Sequence, residues 1–269
     1  MDITKFYAGE NEKPLDNIVS DGGFCSIFRT IGCVGDSLSS GEFESLNENN
    51  ERGYHDMYEY SWGQFMARMM GSEVYNFSRG GMRADTYCKT FADEKDFWNP
   101  DKKCQCYILA LGVNDITHID EYEGGLGEAS DIDVNDWHNN KKSFAGYYGQ
   151  IIQRYREIQP RARFFLMTIP KKQPVDEKRV ALEDAHQKLL HEIAELFDHT
   201  YVLDLREYAP LYDAEFYRHF FMGHMNPMGY VLTAKMVASY IDFIIRKYPE
   251  DFNQVGFIGT DLYNKDFKD

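Results

Sequence analysis

Five short apolar runs, alternating with longer segments of helical periodicity, constrain the fold of this chain most strongly. The runs are FRTIGCVG (28–35), EVYNFS (73–78), CQCYILALG (104–112), RFFLMTI (163–169) and TYVLDL (200–205). Their nearly continuous hydrophobicity is typical of strands buried on both faces of a parallel sheet. Helical patterns occupy 60–70, 83–97, 141–158, 178–196 and 227–247. The alternation of strand and helix predicts a doubly wound α/β architecture.

The length of the chain fits one large domain. With 269 residues, of which 43% are hydrophobic, the chain can bury a sizeable core. We therefore interpret 1–269 as a single domain, with 1–27 and 249–269 as arms packed on the sheet. The stretch 116–140 is polar, acidic and too long for an ordinary connection. We predict that it forms a lid or a substrate loop.

Charge and hydropathy exclude several classes of partner. The net charge of -15 argues against nucleic acid and anionic lipid, which need a clustered basic surface, and favours a neutral or cationic substrate. The amino terminus has no apolar core resembling a signal peptide, and no later segment approaches the roughly 20 apolar residues of a membrane helix. These observations predict a cytoplasmic protein without a membrane partner. The five scattered cysteines indicate reduced, buried thiols.

Chemically useful residues stand where the predicted strands end. Ser37 follows the first run, Gly80 and Gly81 the second and Asn114 the third, while His224 comes late in the chain. Ligands of open parallel sheets bind outside the carboxyl ends of the strands. Each residue alone has a commoner explanation, because such serines and asparagines usually cap helices and such glycines usually form turns. Together they supply the nucleophile, the base and the oxyanion donors that acyl transfer requires.

These motifs also carry a family resemblance. GDSL with Ser37, the Gly80-Gly81 turn, GVND with Asn114 and the late His224 resemble blocks I, II, III and V of the SGNH, or GDSL, hydrolase superfamily. The resemblance implies a flavodoxin-like three-layer α/β/α fold with a five-stranded parallel sheet. It also implies serine esterase or lipase chemistry, with Ser37 as nucleophile and His224 as general base. Ser37, Gly81 (or Gly80) and Asn114 would form the oxyanion hole.

One position departs from the family pattern. The family usually places an Asp three residues before the histidine, where this chain has Phe221. A backbone carbonyl within 220–222 or the carboxylate of Asp213 are candidates to orient the imidazole, and a Ser-His dyad without an orienting group is the third possibility.

The residues that follow the histidine indicate a helix. Asn226 reads as a helix N-cap and Pro227 as the first helical residue, which places His224 beside a helix amino terminus. His219 is a second candidate base and ranks below His224, because only His224 has the family's spacing.

Several neighbouring residues have two readings. Tyr54, Tyr58, Tyr60 and Trp62 follow the nucleophile turn and either cap the first helix, which we favour, or line an acyl or sugar pocket. Arg79 and Arg83 flank the glycine turn and would bind an anionic group if they faced the crevice.

The acidic segment 131–142 begins like a calcium loop but lacks the glycine and glutamate that such a loop needs at its sixth and twelfth positions. We therefore predict no metal and no cofactor.

Three functional hypotheses follow. The first is a serine ester hydrolase that acts through an acyl-enzyme on a small or carbohydrate-linked ester of the O-acetyl type. The second is a thioesterase or lysophospholipase on the same fold. The third, motivated by Phe221, is a non-catalytic binding protein with a decayed hydrolase site.

Overall fold

A five-stranded parallel sheet forms the centre of the protein. The structure is a computed structural model that describes residues 1–174 and 176–266. Its strands are β1 (Thr30–Gly35), β2 (Glu42–Leu46), β3 (Arg52–Asp56), β4 (Glu73–Ser78), β5 (Cys106–Ala110), β6 (Arg163–Met167), β7 (Thr200–Leu203), β8 (Phe221–Met222) and β9 (His224–Met225). The sheet has the order β4-β1-β5-β6-β7, and all neighbouring strands are parallel. Each of these five strands lies within one of the predicted apolar runs, so the predicted α/β sheet is confirmed.

Helices cover both faces of this sheet. They are α1 (Ser37–Ser40), α2 (Trp62–Met70), α3 (Ala84–Thr86), α4 (Ala92–Glu94), α5 (Val113–Thr117), α6 (Phe144–Ile158), α7 (Glu177–Leu196), α8 (Leu205–Tyr208), α9 (Ala214–Phe220) and α10 (Pro227–Lys247). One π-helical segment (Tyr87–Phe91) joins α3 to α4. Apolar side chains of α2 and α10 pack in one core cluster, and those of α6 and α7 in another. The result is the three-layer α/β/α arrangement that the family resemblance implies.

Helix α10 corrects one expectation from the sequence. By length and composition it could cross a membrane, but most of it is buried within the protein. Val237, Ile241 and Ile244 pack in the core beside β1 and α2. Burial in the core therefore accounts for the apolar character of α10.

Both predicted arms pack against the α10 side of the sheet. Cys25 of the amino-terminal arm and Phe28, which follows the arm, share the core cluster of α10 with Phe252, Val255 and Ile258 from the carboxyl-terminal segment. Residues 267–269 of the predicted tail lie outside the described residues. All five cysteines are free and buried, as predicted.

The segment 116–140 is held against α6. It contains short 3-10 turns, of which Ala129–Asp131 and Trp137–Asn139 contact α6. The Asp131 carboxylate accepts hydrogen bonds from Lys141 Nζ at 2.8 Å and Ser143 Oγ at 2.7 Å. Asp131, the first residue of the calcium-like segment, therefore already has hydrogen-bond partners within the protein. The role of 116–140 as a lid stays a prediction.

A small antiparallel hairpin, β2–β3, is inserted between α1 and α2. The sequence pattern did not predict this hairpin. Glu44 of β2 lies opposite Tyr54 of β3. The hairpin is fixed to the body of the protein by Tyr230 of α10, whose hydroxyl donates to the Glu42 carbonyl at 2.7 Å. The Phe43 ring contacts the ring of Tyr230, with centroids 5.5 Å apart. This anchoring places β2 beside the carboxyl edge of the sheet.

Candidate active site

The turn after β1 presents Ser37 at the edge of the sheet. Gly35 ends the strand, and a Cβ there would lie 2.2 Å from Ser39 Oγ, so glycine lets α1 pack directly on the strand end. Asp36 caps α1 by accepting from the Leu38 N–H at 3.1 Å, so its carboxylate braces the turn. Ser37 is the first residue of α1, and N–H groups of a first turn have no partner within the helix.

Two buried aspartates, Asp36 of GDSL and Asp115 of GVND, connect the turns at the edge of the sheet. Asn114 Nδ2 donates to Asp36 Oδ2 at 3.3 Å. Asp115 accepts from the Ala84 N–H at 2.7 Å and from the Tyr122 hydroxyl. Burial raises the pKa of Asp36 to about 7 and that of Asp115 to about 6, because a charged carboxylate loses its hydration there. The aspartates thus tie the loops after β1, β4 and β5 to one another.

The expected oxyanion residues lie at the same edge. Gly81 has a φ of +69° and open space where a Cβ would project, whereas a Cβ on Gly80 would lie 2.3 Å from the Glu42 carboxylate. Asn114 Nδ2 also donates to the Met82 carbonyl at 3.3 Å. The Asn114 side chain therefore links the glycine turn to the turn that carries Ser37.

The imidazole of His224 meets Ser37. Its Nε2 atom lies 3.0 Å from Ser37 Oγ, and its side chain is 21% exposed. The predicted helix start is confirmed, because Asn226 Oδ1 accepts from the Gly229 N–H at 3.0 Å and Pro227 is the first residue of α10. His219 lies on α9, where its Nε2 is 3.9 Å from Glu215.

Asp213 and the Phe220 carbonyl, two of the groups that the sequence offered for orienting His224, have other partners. Phe221 packs on Tyr217, with ring centroids 4.6 Å apart. Asp213 caps α9 by accepting from the Phe216 N–H at 2.9 Å, and the Phe220 carbonyl accepts from the Asn226 N–H at 2.9 Å.

Two glutamates of β2 contact the imidazole instead. Glu44 Oε1 lies 2.7 Å from His224 Nδ1, and Glu42 Oε1 lies 3.1 Å from Nε2. Burial raises the pKa of Glu42, and the charges of Asp56 and Glu44 act in the same direction, although His224 opposes them. Neither glutamate was predicted from the sequence. Their signal is the alternation in GEFE, because residues two apart on a strand face the same side.

The four aromatic residues that follow Ser37 do not all have the same role: some pack in the fold, and one lies at the site. Trp62 is fully buried at the start of α2, and Tyr58 donates its hydroxyl proton to the Val74 carbonyl at 2.8 Å. Tyr60 contacts Phe43. Tyr54 lies at the site, with its ring 6.0 Å from that of His224 and nearly perpendicular to it.

Both flanking arginines are engaged by other side chains. Arg83 forms ion pairs with Asp85, at 3.2 Å, and with Glu121. The Arg79 guanidinium lies 4.5 Å from the Phe91 ring centroid. The structure therefore gives no support to an anion site at these arginines.

The fold is shared with solved structures of low sequence identity. A family two carbohydrate esterase from Clostridium thermocellum, solved in complex with cellohexaose, aligns with a TM-score of 0.54 at 16% identity, over 86% of this chain and 65% of its own. A candidate GDSL-like lipase from Parabacteroides merdae aligns with a TM-score of 0.54 at 15% identity, over 85% and 98%. A family 3 carbohydrate esterase from Clostridium thermocellum aligns with a TM-score of 0.51 at 14% identity, over 81% and 96%.

No curated protein matches the sequence. A family match, in contrast, covers most of the chain and includes every motif at the edge of the sheet. Residues 33–232 match the GDSL-like Lipase/Acylhydrolase family. This chain belongs to the GDSL-like lipase/acylhydrolase family.

Proposed function

We propose that this protein is a serine ester hydrolase that works through an acyl-enzyme. The observation that carries the proposal is the 3.0 Å separation between Ser37 Oγ and His224 Nε2 at the carboxyl edge of the sheet. A hydroxyl within hydrogen-bond reach of an imidazole is the arrangement that activates a serine.

The residues of the site account for each step. Ser37 Oγ attacks the ester carbonyl carbon while its proton moves to His224 Nε2. The carbonyl oxygen becomes negative and receives hydrogen bonds from the Ser37 N–H, from the glycine turn and from the Asn114 amide, which gives up one of its 3.3 Å hydrogen bonds to Asp36 and Met82. The C–O bond to the alcohol then breaks, and the alcohol leaves with the proton from Nε2.

Water completes the cycle by the same route. Its oxygen attacks the acyl carbon while His224 Nε2 takes one proton. The bond from the acyl carbon to Ser37 Oγ breaks, the proton returns to Oγ, and a carboxylic acid is released. Each proton that leaves one oxygen is thus delivered to another through Nε2.

The substrate that we propose is a small or carbohydrate-linked ester of the O-acetyl type. The Tyr54 side chain is 56% exposed beside His224 and offers an aromatic surface to a sugar. The fold is also that of a carbohydrate esterase solved with cellohexaose, which supports a sugar ester as substrate.

Steady-state hydrolysis of p-nitrophenyl acetate, butyrate and octanoate tests the proposal. We expect turnover that is fastest for acetate, and a loss of at least about a hundredfold in kcat/KM for Ser37→Ala and His224→Ala. His219→Ala is the matched control, because that histidine lies on α9 away from Ser37, and it should keep wild-type activity. Equal rates in the wild type and in Ser37→Ala, together with no labelling of Ser37 by a fluorophosphonate, would refute the proposal.

A further inference from the structure

Nδ1, the ring nitrogen of His224 that does not face Ser37, has a specific partner. Nε2 faces Ser37, so Nδ1 must carry the proton if Nε2 is to accept the proton of Ser37. Glu44 Oε1 lies 2.7 Å from Nδ1, and the Glu44 side chain is only 11% exposed. The carboxylate is therefore an acceptor placed where the Nδ1–H bond points.

The second oxygen of this carboxylate is also occupied. Arg52 of β3 places a guanidinium nitrogen 3.0 Å from Glu44 Oε2. With one oxygen on Nδ1 and the other on Arg52, the carboxylate has a fixed orientation. The guanidinium can only donate hydrogen bonds, so the oxygen that faces it must be an acceptor.

The chain also leaves room for the carboxylate. Gly223, which precedes the histidine, has a φ of +77°, and a Cβ there would lie 2.2 Å from the carboxyl carbon of Glu44. A side chain at this position would thus occupy the space in which the carboxylate meets Nδ1.

The other glutamate of β2 has a different location. Glu42 lies on the Nε2 side of the ring, which is the side that faces Ser37. It is therefore not in a position to hold the Nδ1 proton. Phe221, at the usual place of the acid, packs among aromatic rings.

We infer that Glu44 is the positioning residue of His224: it holds the imidazole as the Nδ1–H tautomer facing Ser37, and it reaches the site on a hairpin inserted after the nucleophile. This inference rests on the proposed function for its catalytic consequence. Glu44 lies seven residues after Ser37 and 180 residues before His224. The acid thus belongs to the amino-terminal part of the site, whereas the family pattern places it three residues before the histidine.

Glu44→Gln is the informative variant, since it keeps the shape of the side chain. Arg52 demands an oxygen, so the amide would turn its NH₂ group toward Nδ1. Nδ1 would then become the acceptor, and the proton would move to Nε2. In that tautomer the imidazole cannot take the proton of Ser37.

The experiment combines kinetics with ¹⁵N spectra of histidine-labelled protein, in which His224→Ala identifies the His224 signals. For Glu44→Gln we expect at least about a hundredfold lower kcat on p-nitrophenyl acetate with KM changed less than about threefold. The His224 proton should move from Nδ1 to Nε2. Glu44→Asp, which restores a carboxylate, should recover part of the lost kcat. Glu48→Gln, an exposed glutamate in the turn of the same hairpin, should behave as wild type.

Two results would overturn the inference while leaving the proposed function intact. One is a kcat for Glu44→Gln within about threefold of the wild type. The other is an unchanged tautomer with Glu44→Asp and Glu44→Gln equally impaired, which would indicate a merely structural role. If the wild-type protein hydrolyses none of the esters and a fluorophosphonate does not label Ser37, the proposed function fails and the spectra alone decide. Loss of the Nδ1 proton in Glu44→Gln supports the inference, and its retention contradicts it.

Discussion

Gly223 shows how one residue without a side chain determines the geometry of the site. Its φ of +77° lies in the left-handed region, which glycine adopts without steric cost. It also makes room for the Glu44 carboxylate beside His224. The two effects are separable, because Gly71 has a similar φ of +66° and nothing within 4 Å of the position of a Cβ.

Alanine substitutions at these two glycines should have different consequences. Gly71→Ala should destabilise the fold by about 1–2 kcal/mol, the cost of a left-handed conformation, and Gly223→Ala by at least as much, because its Cβ also displaces the Glu44 carboxylate. Only Gly223→Ala should also lower kcat, by at least about tenfold, because its Cβ displaces the carboxylate from Nδ1. Chemical denaturation and ester hydrolysis measure the two effects.

A double-mutant cycle tests whether the loss of activity passes through Glu44. In the Glu44→Ala background the carboxylate is absent, so adding Gly223→Ala should cost little further activity. Full additivity of the two losses would show that Gly223 acts on the site by another route.

At the scale of elements, the β2–β3 hairpin is the part of the site that the sequence did not reveal. The five sheet strands and the long helices were predictable, because continuous apolar runs and 3.6-residue periodicity follow directly from burial on a sheet. The hairpin is mostly exposed. Its strands EFESL and RGYHD contain too few apolar residues for a strand to be predicted from the sequence.

The contact between Glu44 and His224 was even harder to predict from the sequence. It joins residues 180 positions apart, and local patterns do not report the packing of a hairpin on the end of a distant helix. Ser37, Asn114 and His224 were recognisable because they lie within short motifs at strand and helix ends. The structure brings them to one edge, and their chemical roles stay proposals until they are tested.

The anchoring of the hairpin gives a prediction at this scale. The Tyr230 hydroxyl donates to the Glu42 carbonyl at 2.7 Å and thereby fixes β2, which carries Glu44. Tyr230→Phe should lower kcat several-fold, because a looser β2 holds the carboxylate less accurately. Its stability should fall by only about 1 kcal/mol, the net worth of one hydrogen bond.

Tyr148→Phe provides the matched control for this variant. Tyr148 is also fully buried and donates its hydroxyl proton to a backbone carbonyl, that of Leu109 in the central sheet, at 3.1 Å. We expect a similar loss of stability in urea denaturation and an unchanged kcat. Equal losses of kcat in both variants would indicate a general softening of the protein and no specific role for the hairpin.

For the whole molecule, the distribution of charge should select among substrates. The net charge is -15, Glu42 and Glu44 contact the imidazole, and Asp56 lies opposite Glu42 in the hairpin. A field of one sign around a crevice attracts oppositely charged molecules and loses its reach as salt shortens the Debye length. A cationic ester should therefore reach Ser37 more readily than a neutral ester of the same shape.

Acetylcholine and its neutral analogue 3,3-dimethylbutyl acetate differ at one atom, a quaternary nitrogen replaced by carbon, and form a matched pair for this test. Proton release in a pH-stat gives kcat/KM for both. Between about 10 mM and about 500 mM NaCl, we expect kcat/KM for acetylcholine to fall several-fold, because the Debye length shrinks from about 30 Å to a few ångströms. The neutral ester should show no comparable change, since it carries no charge to be screened. Parallel salt dependences for the two esters would mean that salt acts on the protein itself, and that the acidic crevice does not select its substrate by charge.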